Sequence, residues 1–147
     1  MIKKYGIKQL SIFLENRKGR LLEVTEALKD ASINIRALAL AESAEFGILR
    51  LVVNNPEKAK SVLSSSGFTL KEQEVFAVEV ADEPGSFYEV VKILTQNDIN
   101  VDYTYAFVGG ASKAVLIFKV PSDMLEKALG VLDQGGITLV KPMFFYD

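Results

Sequence analysis

An internal repeat limits the fold of this chain more than any other feature of its sequence. Residues 10–35 and residues 76–101 follow one pattern, and Gly19 corresponds to Gly85, which lies 66 residues further along. Solenoid proteins usually stack three or more short repeats, whereas two copies of this length are typical of a duplicated small domain. The sequence therefore predicts two domains that share one fold.

Each copy reads as six elements in the order β-α-β-β-α-β. A β-rich segment leads to the glycine, and an apolar stripe at i, i+3 and i+7 follows it, as on one face of a helix. In the first copy, Asn55 as N-cap and Pro56 at the first helical position predict the start of the second helix. We predict an α+β fold of two tandem ferredoxin-like βαββαβ units, with antiparallel sheets and helices on one face. The stripes of the two first helices are Leu21, Val24, Leu28 and Phe87, Val90, Leu94.

The boundary between the two units is predicted to be abrupt. The units cover residues 1–72 and 73–147, and the linker is confined to residues 71–74, which contain no flexible Gly/Ser spacer. We therefore expect a rigid pair of units. Within the second unit, the segment GGAS at residues 109–112 predicts a hairpin turn.

Composition argues against catalysis. The chain of 147 residues contains no His and no Cys, which removes the commonest general base, thiol nucleophiles and the commonest metal ligands. Carboxylates, lysines and serines remain, but no nucleophile–base pair or metal motif is visible among them. We predict no catalytic residue, no metal ligand and no cofactor.

Charge and hydropathy indicate where the protein acts. The formal net charge is −2, and basic residues are scattered, so a phosphate-binding surface for nucleic acid is not expected. No apolar run reaches the roughly 18 residues of a membrane-spanning helix, and the N-terminus lacks the apolar region of a secretory signal. We expect a cytoplasmic protein without nucleic-acid or membrane partners.

A four-stranded sheet with helices on one face leaves its other face open. Alternate residues on that face are apolar, and their burial is favourable by roughly 25 cal/mol per Å². A unit of this size also makes a thin core. We therefore expect the units to pack on each other, on a second chain, or both, with a homodimer as the expected assembly.

The glycine turn is the strongest candidate for a binding site. A helix N-terminus presents unpaired N–H groups and the positive end of the dipole, so it suits a carboxylate. We expect Asn34 and Asn100, at the start of the second strand of each copy, to lie next to the turn and to hold polar ligand groups. The alternative is a plain strand-to-helix turn, because such turns favour Gly, Pro, Asp and Asn. The recurrence of turn and asparagine in both copies favours a site.

The segments DEPGSF and NDINV, at residues 82–87 and 97–101, resemble the ACT domain, a regulatory amino-acid-binding module with βαββαβ topology. The first copy and the strands at 46–53 and 103–108 are similar to tandem ACT proteins of bacteria and archaea. In that family, ligands bind where the loop after the first strand meets the second strand of a neighbouring unit. The resemblance implies these ligand-binding residues: Asn16, Gly19, Arg20, Leu21, Asn34, Asp82, Pro84, Gly85, Ser86, Phe87 and Asn100. Lys18 replaces the proline found in the second copy, so one site per chain is as consistent with the sequence as two.

Three aromatic residues alternate along the strand that begins near residue 103. Tyr103, Tyr105 and Phe107 therefore face one side of a sheet. They form either a packed sheet face or dimer contact, or a wall against a ligand side chain, and Tyr103 is included as a candidate ligand contact. RNA recognition by such aromatics is disfavoured by the negative charge.

Together these features favour a non-catalytic, allosteric protein that binds an L-amino acid at the junction of two ACT-like units. It would regulate a partner enzyme of amino-acid metabolism. The alternative is a protein–protein interaction module that binds no small ligand. An enzyme on a ferredoxin-like scaffold is a third hypothesis, which the absence of His and Cys disfavours.

Overall fold

The computed structural model describes residues 1–110 and 112–146. They form two compact units. The N-terminal unit contains residues 8–73 and the C-terminal residues from Phe145 onward, and the C-terminal unit contains residues 1–7 and 74–144. Each terminus thus belongs to the unit built from the other half of the chain.

The order of elements follows the predicted repeat, preceded by one short helix. The α-helices are α1 (Ile2–Tyr5), α2 (Arg20–Asp30), α3 (Pro56–Ser65), α4 (Ser86–Gln96) and α5 (Leu125–Gln134). The strands are β1 (Ile7–Glu15), β2 (Ile35–Glu42), β3 (Phe46–Val53), β4 (Thr69–Ala81), β5 (Tyr103–Gly110), β6 (Lys113–Lys119) and β7 (Thr138–Leu139). Short 3-10 helices cover Ser122–Met124 and Pro142–Phe144.

The sheet of the N-terminal unit contains the strands in the order β2-β3-β1. Both β2 and β1 run antiparallel to β3, with Leu38 and Leu10 opposite Leu51. Helices α2 and α3 pack on the same face of this sheet, because their buried residues join the alternate residues of the strands in one cluster. The fully buried centre of that cluster consists of Leu10, Ile12, Val24, Leu51, Val53, Ala59 and Leu63.

The C-terminal unit repeats this arrangement with the order β5-β6-β4-β7. All three pairings are antiparallel. Helices α4 and α5 cover one face, and the stacked rings of Phe76 and Phe118 lie beneath them with centroids 5.6 Å apart. The prediction of tandem ferredoxin-like α+β units is therefore confirmed.

Helix α3 begins where the sequence predicts. The side chain of Asn55 accepts a hydrogen bond of 3.1 Å from the N–H group of Lys58, and Pro56 occupies the first helical turn. This cap satisfies one of the N–H groups that a helix start leaves without an intrahelical partner.

One expectation about the connections is wrong, and a second falls partly outside the described residues. Residues 71–74 are not a linker loop, because they lie in the middle of the 13-residue strand β4. Their sequence, Lys-Glu-Gln-Glu, is polar, but its backbone continues the strand between the two apolar ends. The predicted turn at 109–112 lies partly outside the described residues, since residue 111 is not among them.

The short helix α1 is held to the C-terminal unit by its ammonium terminus. The N-terminal nitrogen lies 2.7 Å from a carboxylate oxygen of Glu126, and the Ile2 N–H group donates to the other oxygen. The hydrogen bond from the ammonium group lowers the pKa of Glu126. Among the described residues, no helix is long and apolar enough to cross a membrane.

Candidate functional site

The turn after β4 is shaped by a glycine in the left-handed region. Gly85 has φ 90° and ψ −10°, a conformation that costs residues with a Cβ roughly 1–2 kcal/mol. The Asp82 N–H group donates to the Ser112 carbonyl oxygen at 2.9 Å, which ties the loop to the end of the neighbouring hairpin. A Cβ added at Gly85 would meet no atom within 4 Å, so the space beside the turn is open.

Helix α4 starts directly at this turn without a capping side chain. Helix α3, in contrast, is capped by Asn55. The Ser86 N–H group donates to the Glu83 carbonyl oxygen at 3.3 Å. The next N–H groups, those of Phe87 and Tyr88, have no intrahelical acceptor, and the helix dipole places partial positive charge beside them. The start of α4 can therefore accept an anionic oxygen from a ligand.

A cavity of about 420 Å³ lies next to the start of α4. Small-molecule sites typically have volumes of roughly 300–1,000 Å³, so this cavity is large enough for one. Its floor is formed by strand residues, and its mouth by the loop and by Phe87. The lining residues are Val80, Ala81, Asp82, Glu83, Ser86, Phe87, Thr104, Tyr105, Ala106, Ala114 and Leu116.

The wall of this cavity is apolar, and its rim is acidic. Phe87 is 46% exposed, and its ring packs against the buried ring of Phe118 at a centroid distance of 5.9 Å. Asp82 and Glu83 are exposed, and no cation lies among the lining residues. An ammonium group at this rim would be attracted by both carboxylates.

The N-terminal unit carries the equivalent turn in a more closed form. Gly19 has φ 96°, and α2 also starts without a side-chain cap. Asn16 binds the hairpin twice, through its N–H group to the Glu45 carbonyl oxygen at 2.8 Å and through Nδ2 to the Ser43 carbonyl oxygen at 3.3 Å. The hollow beside this turn measures only about 100 Å³. Two of the predicted ligand contacts, Asn16 and Leu21, are among its lining residues.

The two arginines on either side of the N-terminal turn, Arg17 and Arg20, pair with carboxylates of their own unit. Arg20 forms an ion pair with Glu23 at 2.5 Å, and its guanidinium group lies 4.5 Å from the centroid of the Phe68 ring. A hydrogen bond from the Arg17 guanidinium group lowers the pKa of Glu15. Arg20, a predicted ligand contact, therefore has partners within its own unit.

The prediction that Asn34 lies next to the turn of its own unit is wrong. In the register of the sheet, Ile35 is opposite Val53, whereas the turn follows Glu15, which is opposite Phe46 at the other end of β3. Seven residues of strand separate these two ends, or roughly 23 Å. The Asn34 N–H group instead donates a hydrogen bond of 2.9 Å to Oδ1 of Asn54.

Asn100 is displaced from its turn in the same way. Tyr103, just after it, is opposite Lys119, whereas the turn follows Ala81, which is opposite Lys113. The Asn100 side chain donates a hydrogen bond of 3.0 Å to the Asp102 carboxylate. Both asparagines therefore support the start of a strand within their own units.

The remaining predicted residues, apart from Tyr103, gather at the turn of the C-terminal unit. Asp82, Ser86 and Phe87 line the cavity, and Pro84 and Gly85 form the turn beside it. Tyr103 lies outside the lining, whereas Tyr105 belongs to it. The structure thus brings five predicted residues together at one place in the C-terminal unit.

Sequence reasoning missed the strand residues that give the cavity its size. Thr104 and Ala106 stand where the first copy has Leu38 and Leu40, at the same separation of 66 residues as the two glycines. A comparison of the two copies position by position would have found this difference.

Comparisons with known proteins identify the repeat. A family model described as an ACT domain pair matches residues 5–141. The fold is similar to the crystal structure of protein BT0572 from Bacteroides thetaiotaomicron, with 34% identity, a TM-score of 0.91 and 98% of each chain covered. No match was found among curated protein sequences.

Two more distant structures share the fold. The ligand-free regulatory subunit of aspartate kinase from Thermus thermophilus is 14% identical, with a TM-score of 0.62 over 91% of this chain and 95% of that one. E. coli aspartokinase III in complex with aspartate and ADP is 19% identical, with a TM-score of 0.59 over 89% of this chain and 32% of that one. ACT domains are regulatory, non-catalytic modules, and the family match supports a regulatory, ligand-binding role.

Proposed function

Because this chain belongs to the ACT domain pair family, we propose that it is a non-catalytic regulatory protein that binds a free L-amino acid. The observation that carries the proposal is the uncapped start of α4, which follows Gly85 and borders a cavity of about 420 Å³. A left-handed glycine, a helix start without a side-chain cap and an open cavity of this size occur together only at this turn among the described residues.

The chemistry around the turn matches the two charged groups of an amino acid. The ligand carboxylate binds the first N–H groups of α4, which a helix dipole makes favourable for an anion. The ligand ammonium group faces Asp82, whose carboxylate has no ion pair or hydrogen bond with another described residue. The ligand side chain enters the apolar part of the cavity.

A second copy of the chain covers the turn in the proposed homodimer. Phe87 and Tyr88 follow the glycine directly and are 46% and 62% exposed, which is unusual for large aromatic residues beside a cavity. Burial of these rings by a partner copy would couple ligand binding to assembly. Such coupling allows a ligand to shift the population of a regulatory state that a target enzyme of amino-acid metabolism reads.

The same exposed rings favour one alternative, a protein-interaction module that binds no small molecule. In that case Phe87 and Tyr88 contact a partner protein directly, since aromatic residues are enriched at interfaces. The two functions differ in whether free amino acids stabilise the isolated protein.

A melting-temperature screen of the purified chain against the twenty amino acids tests the proposed function. A ligand at a hundredfold excess over its Kd stabilises the native state by about 2.7 kcal/mol, which corresponds to a rise of roughly 5–10 °C. We expect such a rise with one amino acid or a few related ones.

The controls for the screen follow from the two charged groups. The carboxamide and the N-acetyl derivative of the responding amino acid should each lose most of the shift, because each lacks one of the groups. If the folded protein shows no shift with any amino acid, the interaction module is the better account.

A further inference from the structure

We infer that the C-terminal unit alone holds the ligand, and that the ligand is an amino acid with an apolar side chain of the size of leucine or phenylalanine. This inference rests on the proposed function and specifies which unit binds and which class of amino acid it takes. The chain itself provides the comparison, because both units carry a left-handed glycine followed by an uncapped helix. The two turns thus share their backbone conformation, and what distinguishes them is the size of the space beside each turn.

The difference in space comes from two positions on the second strand of each unit. In the C-terminal unit these positions are Thr104 and Ala106, which are opposite Phe118 and Leu116 on the helix-covered side of the sheet. Both residues line the cavity of about 420 Å³. The Thr104 hydroxyl donates a hydrogen bond of 2.7 Å to the Ile117 carbonyl oxygen, so it presents little free polarity to the cavity.

In the N-terminal unit the same two positions hold leucines. Leu38 and Leu40 are opposite Leu51 and Leu49, on the corresponding side of that sheet. Leu40 lines the hollow of about 100 Å³, which is below the range of roughly 300–1,000 Å³ found for small-molecule sites. Leu38 and Leu40 are 58% and 50% exposed, and only Leu40 is among the lining residues. Because leucine is larger than threonine or alanine, these two positions leave less room beside the N-terminal turn than Thr104 and Ala106 leave beside the C-terminal one.

The rims of the two turns also differ in charge. At the C-terminal turn, Asp82 and Glu83 are exposed carboxylates without a cation among the lining residues. The corresponding residues of the N-terminal unit are Asn16, which is bound to the hairpin carbonyl groups, and Arg17, which is bonded to Glu15. The hollow at the N-terminal turn is lined by Arg17 as well as by the carboxylates of Glu15 and Glu42, whereas the larger cavity at the C-terminal turn has carboxylates and no cation in its lining.

The residues that line the cavity determine which class of ligand side chain fits into it. Val80, Leu116 and the exposed face of Phe87 form apolar walls, and Ala106 and Ala114 leave room between them. A polar or charged side chain placed between these apolar walls would lose hydration, which costs free energy. An aliphatic or aromatic side chain gains contact area at no such cost.

A reciprocal exchange of the two positions tests the inference in the full-length chain. Isothermal titration with L-leucine, L-isoleucine and L-phenylalanine is compared with titration with L-serine and L-aspartate. We expect the apolar amino acids to bind the unaltered protein more tightly. In the double variant Thr104→Leu/Ala106→Leu, affinity should fall roughly tenfold or more, the scale expected for forcing side chains into filled space. In the matched variant Leu38→Thr/Leu40→Ala, affinity should stay unchanged.

The leucine variants are expected to fold, because the N-terminal unit already carries leucine at both positions. The single variant Ala106→Leu serves as a second test if the double variant melts early. Unchanged affinity in the leucine variants, loss of affinity in the matched variant, or tighter binding of serine or aspartate would each overturn the inference while leaving amino-acid binding intact. Failure of every amino acid to bind the unaltered protein would overturn the proposed function as well.

Discussion

Replacing Phe118 by alanine is expected to lower the free energy of unfolding by about 3–5 kcal/mol, the usual range for a buried phenylalanine. Phe118 is fully buried, and its ring stacks on Phe76 at 5.6 Å and contacts Phe87 at 5.9 Å. The substitution therefore removes core volume and also the support of one cavity wall. Chemical denaturation measures the first effect, and ligand titration of the remaining folded protein measures the second.

Phe46→Ala is the matched control for this substitution. Phe46 is 53% exposed at the start of β3, so its loss should change the unfolding free energy by about 1 kcal/mol or less. Equal destabilisation by the two substitutions would contradict the assignment of Phe118 to the core. If Phe118→Ala binds the ligand with normal affinity, Phe87 forms the cavity wall without support from the Phe118 ring.

Gly85→Val is expected to abolish ligand binding and to destabilise the protein by about 1–3 kcal/mol. Valine is β-branched and tolerates φ near +90° poorly, so the turn must rearrange. Because the space beside Gly85 is open, the cost arises from the backbone and not from a clash with neighbouring atoms. Melting curves with and without the responding amino acid separate the two effects.

Gly19→Val, at the equivalent turn of the N-terminal unit, is the matched control for Gly85→Val. Gly19 has φ 96° and equally open surroundings, so valine should cost a similar amount of stability there. Ligand binding should survive, because the hollow beside Gly19 is too small for a ligand. Loss of binding in Gly19→Val, with retention in Gly85→Val, would place the ligand in the N-terminal unit instead.

The tandem fold followed from local signals in the sequence. Apolar stripes such as Leu21, Val24 and Leu28 have the period of a helix, and the two glycines mark the turns that precede the helices. Asn55 and Pro56 fixed the start of α3, because capping depends on residues that are close in sequence. The glycines and the apolar stripes repeat in both copies, which made the βαββαβ reading consistent.

The placement of the asparagines failed because it depends on the path of the chain between elements. Helix α2 has 11 residues and carries the chain roughly 16 Å back along the sheet. Asn34 therefore begins the next strand at the end opposite to Gly19. The same return path separates Asn100 from Gly85. The spacing of the motif was right, but spacing alone does not tell which end of the sheet a residue occupies.

The size of the cavity could not be read from either copy alone. Thr104 and Ala106 are ordinary strand residues, and their importance appears only when Leu38 and Leu40 are seen at the same places. The cavity depends on the small size of the side chains at these two positions as much as on the residues that form its walls. Sequence motifs consist of reactive or polar residues, so they do not reveal positions at which a small residue leaves space for a ligand.

Amide resonances of the ¹⁵N-labelled chain, followed during titration with the responding amino acid, test the central claim most directly. The account predicts the largest shifts at Gly85, Phe87 and Tyr88, whose N–H groups lie at the start of α4. The corresponding amides of Gly19, Leu21 and Leu22 should change little. Saturable shifts centred on α2, or no saturable shift in either unit, would contradict an amino-acid site at the start of α4.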